Sequence, residues 1–365
     1  LFAAAHPANA QSVRGIVVEL DTGEPISGAL VILLDADSTT AATAMSSSSG
    51  AYYLQPSSPG TYRLRTDRIG YSSTLSEPLE IMESASLSYR VEASTRPVEL
   101  ETLMVEGARD DRCRLTRDVG DATYGIWEEA RKALENAAWT NRSRRYRLVG
   151  ERYTMFLDRS GRPLSLPSSR SDQSDKPTTD SIITSAGYTL FKSLPAHHLR
   201  EIGYVVVVTE EMNDRYAIFP GRPDAIGGTA YFGPDASVLL SQAFHEDHCF
   251  SLVEGNGRNE GMIGLSFRPF RRPTLADIEG TLWLDGRTAE LSSLEFNYVG
   301  AVPVRRDGLT GSGLVEFDRL SDGPVIVRNW WIQMPGLVTG VPHFDKLSGW
   351  TRQGGRVTEV VRGGF

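Results

Sequence analysis

The sequence predicts a mostly β protein of two modules. The first is an N-terminal seven-stranded β-sandwich; the second is an antiparallel β-sheet or meander with one main α-helix. Three observations carry that prediction. Thirty-five glycines and nineteen prolines in 365 residues break the chain at short intervals, which suits short strands joined by tight turns. Most segments between the breaks are rich in Val, Thr, Tyr and Phe and alternate apolar with polar residues. A single stretch, 121–139, instead repeats its apolar residues every three or four positions. With 40% hydrophobic and 23% charged residues, the chain has an ordinary globular composition, able to bury real cores. Its length carries a prior of two or three domains.

Residues 1–12 form the first element. An apolar run leads into Ala8-Asn9-Ala10, the small-x-small pattern that signal peptidase reads, so cleavage is expected before Gln11. If retained, the segment becomes an N-terminal anchor. No later stretch holds about 18 uninterrupted apolar residues, so no other segment predicts a membrane-crossing helix.

The first module spans 13–106. Val13-Arg14-Gly15-Ile16-Val17-Val18 reads as a strand, and Asp21-Thr22-Gly23-Glu24-Pro25-Ile26 as a Gly/Pro turn. Ser27-Gly28-Ala29-Leu30-Val31-Ile32-Leu33-Leu34 is the next strand. A Ser-rich loop, Ser46 to Ser49, ends in Gly50 and is followed by Ala51-Tyr52-Tyr53-Leu54. Pro59-Gly60 then turns the chain into the alternating run Thr61-Tyr62-Arg63-Leu64-Arg65. Gly70-Tyr71 and two further alternating runs end near Val105. Seven short strands with a turn every eight to twelve residues is the pattern of a β-sandwich.

These motifs together, G-x-V, TGEPISGA-x-V, G-x-Y, PG-x-Y-x-L and GY, resemble the carboxypeptidase regulatory-like domain, a transthyretin-like sandwich. The resemblance implies an appendage without a catalytic site of its own, found on secreted peptidases, outer-membrane receptors and envelope proteins. The chain departs from the family's commoner pattern at Ser46-Ser47-Ser48-Ser49, where a Thr-Asp-x-x-Gly turn is more usual. The lost acidic residue removes support for a cation bound there.

A polar linker, 107–112, leads to the second module, 113–365. In the helix predicted over 121–139, Trp127, Ala130, Leu134, Ala137 and Ala138 form the apolar stripe, with Asp121 or Thr123 as cap. That stripe is expected to dock on the module's own sheet. Strands are expected at 146–157, 204–209, 245–253, 262–267, 278–284, 291–298, 313–317, 325–334 and 357–361, antiparallel from about 245 onward. In Glu279-Gly280-Thr281-Leu282-Trp283-Leu284-Asp285, apolar residues fall on both faces, so both are expected to be at least partly covered. Residues 165–180, rich in Ser, Asp, Pro and Thr, read as a long exposed loop. The general run G-x-L-x-L-D, then E-L-x-x-L-x-F, weakly resembles the curved sheets of periplasmic lipoprotein-carrier-like proteins.

The most chemically loaded stretch is FHEDHCF, 244–250. Zinc peptidases set two His four apart on a helix. Here His245 and His248 are three apart in what reads as a strand, which sends them to opposite faces. His245, Asp247 and Cys249 would share one face, and Glu246, His248 and Phe250 the other. The reading is architectural. Cys113 and Cys249 are the only thiols, and in an oxidising compartment one disulfide between them is expected, two separate buried thiols being the alternative. They lack the CxxC spacing of a zinc site. There is no G-x-S-x-G elbow, no P-loop and no G-x-G-x-x-G opening a helix. No catalytic, cofactor-binding or metal-ligating residue is therefore expected, and no cofactor.

The formal charge of −8 and pI near 5.4 argue against nucleic acid as partner. Candidate contact residues are Arg142, Arg144 and Arg145 in a basic run, and the adjacent Trp330 and Trp331, of which one is expected in the core and one on a patch. The run has two readings: a face for anionic headgroups or an acidic partner, or a solvated helix exit. Arg268, Arg271 and Arg272, spaced by Pro269 and Pro273, form a second basic spot.

The functional expectation is a non-catalytic binding or scaffold protein. It would be periplasmic or extracellular, peripheral to a membrane, and docked as an accessory subunit on an envelope membrane complex through protein partners. Extrinsic subunits of bacterial complexes, photosynthetic reaction-centre supercomplexes among them, resemble this plan in outline. The alternatives are a periplasmic carrier of a lipid or apolar ligand and a metal-dependent hydrolase with a cryptic site around His245, Glu246 and Asp247.

Overall fold

Alternation in runs such as Ala51–Leu54 and Gly60–Asp67 gives each one buried apolar face, while Leu30–Leu33 is buried on both faces, and the chain packs these residues against one another. The computed structural model describes residues 11–95, 122–143, 145–164, 178–184 (main chain only), 194–218, 226–301, 310–336 and 349–362. Two compact units result. The first comprises the described N-terminal residues with the segments Arg287–Glu290 and Arg319–Val325; the second comprises the rest.

The first unit holds β1 (Ser12–Glu19), β2 (Leu30–Leu34), β3 (Thr40–Met45), β4 (Ala51–Leu54), β5 (Gly60–Asp67), β6 (Thr74–Leu75), β7 (Leu79–Ile81) and β8 (Ser86–Ala93). One sheet runs β4-β1-β8; the other runs β3-β2-β5-β6, with β7 also on β5. Among the described residues there are eight strands where the turn spacing predicts seven, because the two shortest, β6 and β7, share one alternating run. The last described strand ends at Ala93, and the expected continuation to Val105 lies outside the described residues. Strands β1 and β8 pair in parallel, from Ser12↔Ser86 to Glu19↔Ala93. Val13, Val17, Val31, Leu33, Leu54, Leu64 and Val91 form one core cluster. Each fully buried aliphatic side chain contributes about 1.5–3 kcal/mol relative to exposure.

Two details explain the motif residues. A Cβ on Gly15 would lie 1.7 Å from the Tyr89 carbonyl oxygen, so the β1–β8 approach requires glycine. Ser46 is buried; its hydroxyl accepts from Ala29 N (2.9 Å) and donates to Ile26 O (2.6 Å). Beside it, Ser47 Oγ accepts from Ala51 N at 3.2 Å, an acceptor role within the turn that an Asp side chain would also fill.

The second unit begins with α1 (Ala122–Arg142), β9 (Tyr146–Leu157) and β10 (Thr178–Thr184). Next come α2 (Ala196–Ile202), β11 (Val205–Val207), α3 (Glu210–Tyr216), β12 (Thr229–Tyr231), α4 (Ala236–Leu239) and α5 (Gln242–Asp247). The chain continues through β13 (His248–Glu254), β14 (Met262–Pro269), β15 (Ala276–Asp285) and β16 (Leu291–Gly300). It ends in β17 (Ser312–Arg319), β18 (Val325–Gly336) and β19 (Gly349–Arg362). A nine-stranded sheet runs β10-β9-β19-β18-β17-β16-β15-β14-β13, and β11 and β12 form a separate pair.

The predicted helix is present and extends three residues beyond Trp139. Thr123 lies inside it and is not its cap; Asp121 lies outside the described residues. Its face bearing Ile126, Trp127, Ala130, Ala133, Leu134 and Ala137 is buried and packs on β13, β14, β16 and α4, as the amphipathic stripe requires. Glu129 and Lys132, also buried, neutralise each other at 2.6 Å. In β15, Leu282 and Leu284 are fully buried and Trp283 is 9% exposed, so both faces of that strand are covered.

Two expectations are corrected. The exposed loop read over 165–180 gives way to β10 from Thr178, which pairs with β9; Thr and Ile in that run suit a strand, and the preceding Ser/Pro composition masked it. The strand read over 245–253 starts only at His248, because Ser241 caps a helical turn that carries 242–247.

Candidate functional site

The corner built by α2, α5 and the β14–β15 connection holds a cavity of about 590 Å³. Its elements are placed by local chemistry. Asp235 Oδ1 accepts from Val238 N (3.0 Å) and Ser241 Oγ from Phe244 N (3.2 Å), starting α4 and α5; such caps stabilise a helix start by about 1 kcal/mol. The α2 exit is Gly203 at φ +84°, where a Cβ would lie 2.8 Å from Ala276 O, so a side chain would separate α2 from β15. Phe270 N donates to Asp247 O at 2.7 Å, tying the β14–β15 connection to the end of α5.

FHEDHCF therefore crosses a helix-to-strand junction, and its side chains diverge. His248, 3% exposed, stacks on Phe244 at 4.0 Å. Its Nδ1 lies 2.9 Å from Phe244 O, and its Nε2 lies 3.2 Å from Ile278 O and 3.4 Å from Asp277 Oδ1. A neutral imidazole donates to one of these acceptors; both nitrogens face oxygens of the protein itself. His245 turns the other way. Its Nε2 donates to Leu239 O at 2.8 Å, and its ring meets Trp127 edge-on at 4.5 Å. Burial lowers its pKa, partly opposed by the bond to Leu239 O and reinforced by His248.

Asp247 and Glu246 both turn to Arg200, at 2.6 and 3.5 Å, and Glu246 also accepts from Gln242 at 2.8 Å. The expected face shared by His245, Asp247 and Cys249 does not form, since the first two belong to a helix and the third to a strand. Among the described residues no three His, Cys, Asp or Glu converge as a metal site. Deeper in the corner, burial and the nearby Asp277 carboxylate push the Tyr204 phenol well up. Cys249 is buried, and no described cysteine is free; Cys113 lies outside the described residues.

The other expected contact residues sit apart from this corner. Trp330 is buried, while Trp331 is half-buried with the Arg352 guanidinium 4.2 Å from its ring centroid. Arg352 is held there by Gln333 Oε1 at 2.6 Å. On the next strand Tyr153 fills the space over Gly354, where a Cβ would lie 2.5 Å from its ring. Arg142 closes the last turn of α1, where a cation complements the helix C-terminus. Arg145 lies over the Trp139 ring at 5.4 Å; Arg144 lies outside the described residues. Sequence reading missed Arg200 and Asp277, and gave Phe244 no role of its own. The helix caps Asp235 and Ser241 were the signal that could have placed α4 and α5.

The family comparison bears on the first unit. Its two sheets, the Gly15 contact and the Ser46 turn coincide with a family model over 12–94. Residues 12–94 are a carboxypeptidase regulatory-like domain. No curated protein matches the sequence. Among solved structures, a minor pilin of Streptococcus agalactiae is 18% identical over 24% of this chain and 45% of its own, with TM-score 0.21. A streptococcal ancillary pilin is 12% identical over 52% and 57%, with TM-score 0.22. A 9R-lipoxygenase from Cyanothece is 9% identical over 98% and 44%, with TM-score 0.20. The chain spans about half the length of these proteins.

Proposed function

We propose that the chain is a binding or scaffold protein that acts outside the cytoplasm, docked as an accessory subunit on an envelope membrane assembly through protein partners. One observation carries the reading. The side chains richest in chemistry are engaged in holding the fold: His245 on Leu239 O, His248 between Phe244 O and Ile278 O, Asp247 on Arg200. A general base or metal ligand needs a lone pair directed at a substrate or ion. The N-terminal domain supports the same reading, because its family resemblance implies an appendage. Among the described residues no helix is long and apolar enough to cross a membrane, which is consistent with docking at the surface. Trp331 with Arg352 and Tyr153, and the Arg142–Arg145 region, are the proposed contact surfaces. Helix α1 packs on β13, β14 and β16 of the large sheet, which leaves a lipid less apolar surface there and weakens the carrier reading. None of these observations points to a photosynthetic complex.

Purification from native membranes in gentle detergent tests the docking. A stoichiometric partner, lost on Trp331→Ala, is expected; a chain that elutes alone overturns it. Metal analysis of the purified protein tests the catalytic alternative, and stoichiometric zinc would overturn the scaffold reading. The proposed Cys113–Cys249 bridge predicts that thiol-blocking reagents modify neither cysteine until reductant is added; two labelled thiols in the unreduced, unfolded protein would exclude it.

A further inference from the structure

We infer that the cavity beside α5 binds an organic carboxylate carrying a short apolar group, with Arg271 and Arg272 holding the carboxylate. The inference follows from which lining groups already have partners. Asp247 and Glu246 are taken by Arg200. Asp277 accepts from Ile278 N at 2.8 Å and lies against His248. Arg271 and Arg272 are exposed and line the same cavity, and among the described residues neither has an ion-pair partner. The lining's three guanidiniums and three carboxylates balance in charge, and the free donor groups are those of Arg271 and Arg272. Two adjacent guanidiniums suit a planar carboxylate, which each can meet with paired N–H donors.

The rest of the lining specifies the remainder of the ligand. Phe244, Val238, Phe270 and Leu275 supply apolar surface, and Leu275 remains 41% exposed at the rim, where an apolar group would cover it. The volume lies within the range of small-ligand pockets. Three lining carboxylates disfavour a more highly charged anion such as a phosphate monoester, so a single negative charge fits best. The arginines are on a braced segment: Pro269 and Pro273 flank them, Phe270 N is tied to Asp247 O, and Arg271 lies 5.7 Å from the Phe270 ring centroid. Such a carboxylate has two sources, the C-terminus of a peptide or a free organic acid.

Calorimetric titration of the full chain distinguishes them, using N-acetyl-phenylalanine, its uncharged amide, and 3-phenylpropionate as probes. Saturable binding of an acid is expected, with the amide weaker by about tenfold or more, and affinity falling with added salt. The double substitution Arg271→Gln, Arg272→Gln should weaken acid binding by a similar factor while the melting temperature stays put, since both side chains are exposed. Binding of N-acetyl-phenylalanine alone assigns the site to a chain terminus; equal binding of both acids assigns it to free acids. The inference is overturned if neither acid saturates, if the amide binds as well, or if the double variant binds like the parent. The scaffold reading survives that outcome, because it rests on the engagement of the histidines.

Discussion

The regulatory-like sandwich and the helical corner of the second unit use polar residues in opposite ways. In the sandwich, polar side chains mark the outward face, and a buried exception such as Ser46 stitches one turn to a neighbouring strand. In the corner, Asp235, Ser241, His245 and His248 lie among the apolar residues and determine where helices start, stop and meet strands. The same density of His, Asp and Glu that suggests chemistry in a sequence can be the material of a junction. What separates the two is whether the polar atoms end on the protein's own backbone.

That contrast can be broken at graded cost. Truncating a core residue should give the largest effect: Leu64→Ala in the sandwich, at 1% exposure, should destabilise its unit by about 2–5 kcal/mol, read by denaturant unfolding. A change near zero would mean the sandwich core is not close-packed. In the corner, His248→Ala removes a ring stacked on Phe244 and its bond to backbone, and should cost about 2–4 kcal/mol. If it instead leaves stability intact and abolishes an activity, the junction reading fails. Ser46→Ala orphans Ala29 N and Ile26 O and should cost about 1–3 kcal/mol; Ser46→Thr should lose less if the methyl is accommodated.

The smallest effect sharpens the comparison by pH. Burial lowers the folded pKa of His245, so the unfolded chain binds a proton first, near its ordinary value of about 6.5. Stability should therefore be full above that pH, decline as pH falls through it, and level off once the folded ring is also protonated. His245→Gln should flatten that part of the profile in thermal melts between pH 5 and 8 (a window set by about that unfolded value).

Much of the architecture was legible. The alternating strand runs lie inside or within a residue or two of the observed strands wherever one face is buried, as in β9, where Tyr146–Leu157 is matched end to end. The helix stripe through Trp127, Ala130 and Leu134 was equally plain. Failures came where an overlooked cap and long-range packing, not alternation, set the conformation. His248–Glu254 continues a run that begins at Phe244, and only the Ser241 cap and the contacts with Trp127 and Phe250 make its first part helical. The cavity was less legible still. It joins Arg200 to Arg272 through backbone bonds such as Phe270 N to Asp247 O, which no spacing rule encodes. The basic spot at 268–272 was visible; what surrounds it was not.

The large sheet places β9 between β10 and the final strand β19, so Glu151 meets Arg356 across 205 residues of chain. The ribosome must synthesise β19 before β9 can acquire that neighbour, and until then that edge of the β9–β10 ribbon is unpaired. Loss of the fourteen residues of β19 would therefore not trim the sheet at its margin but cut it in two.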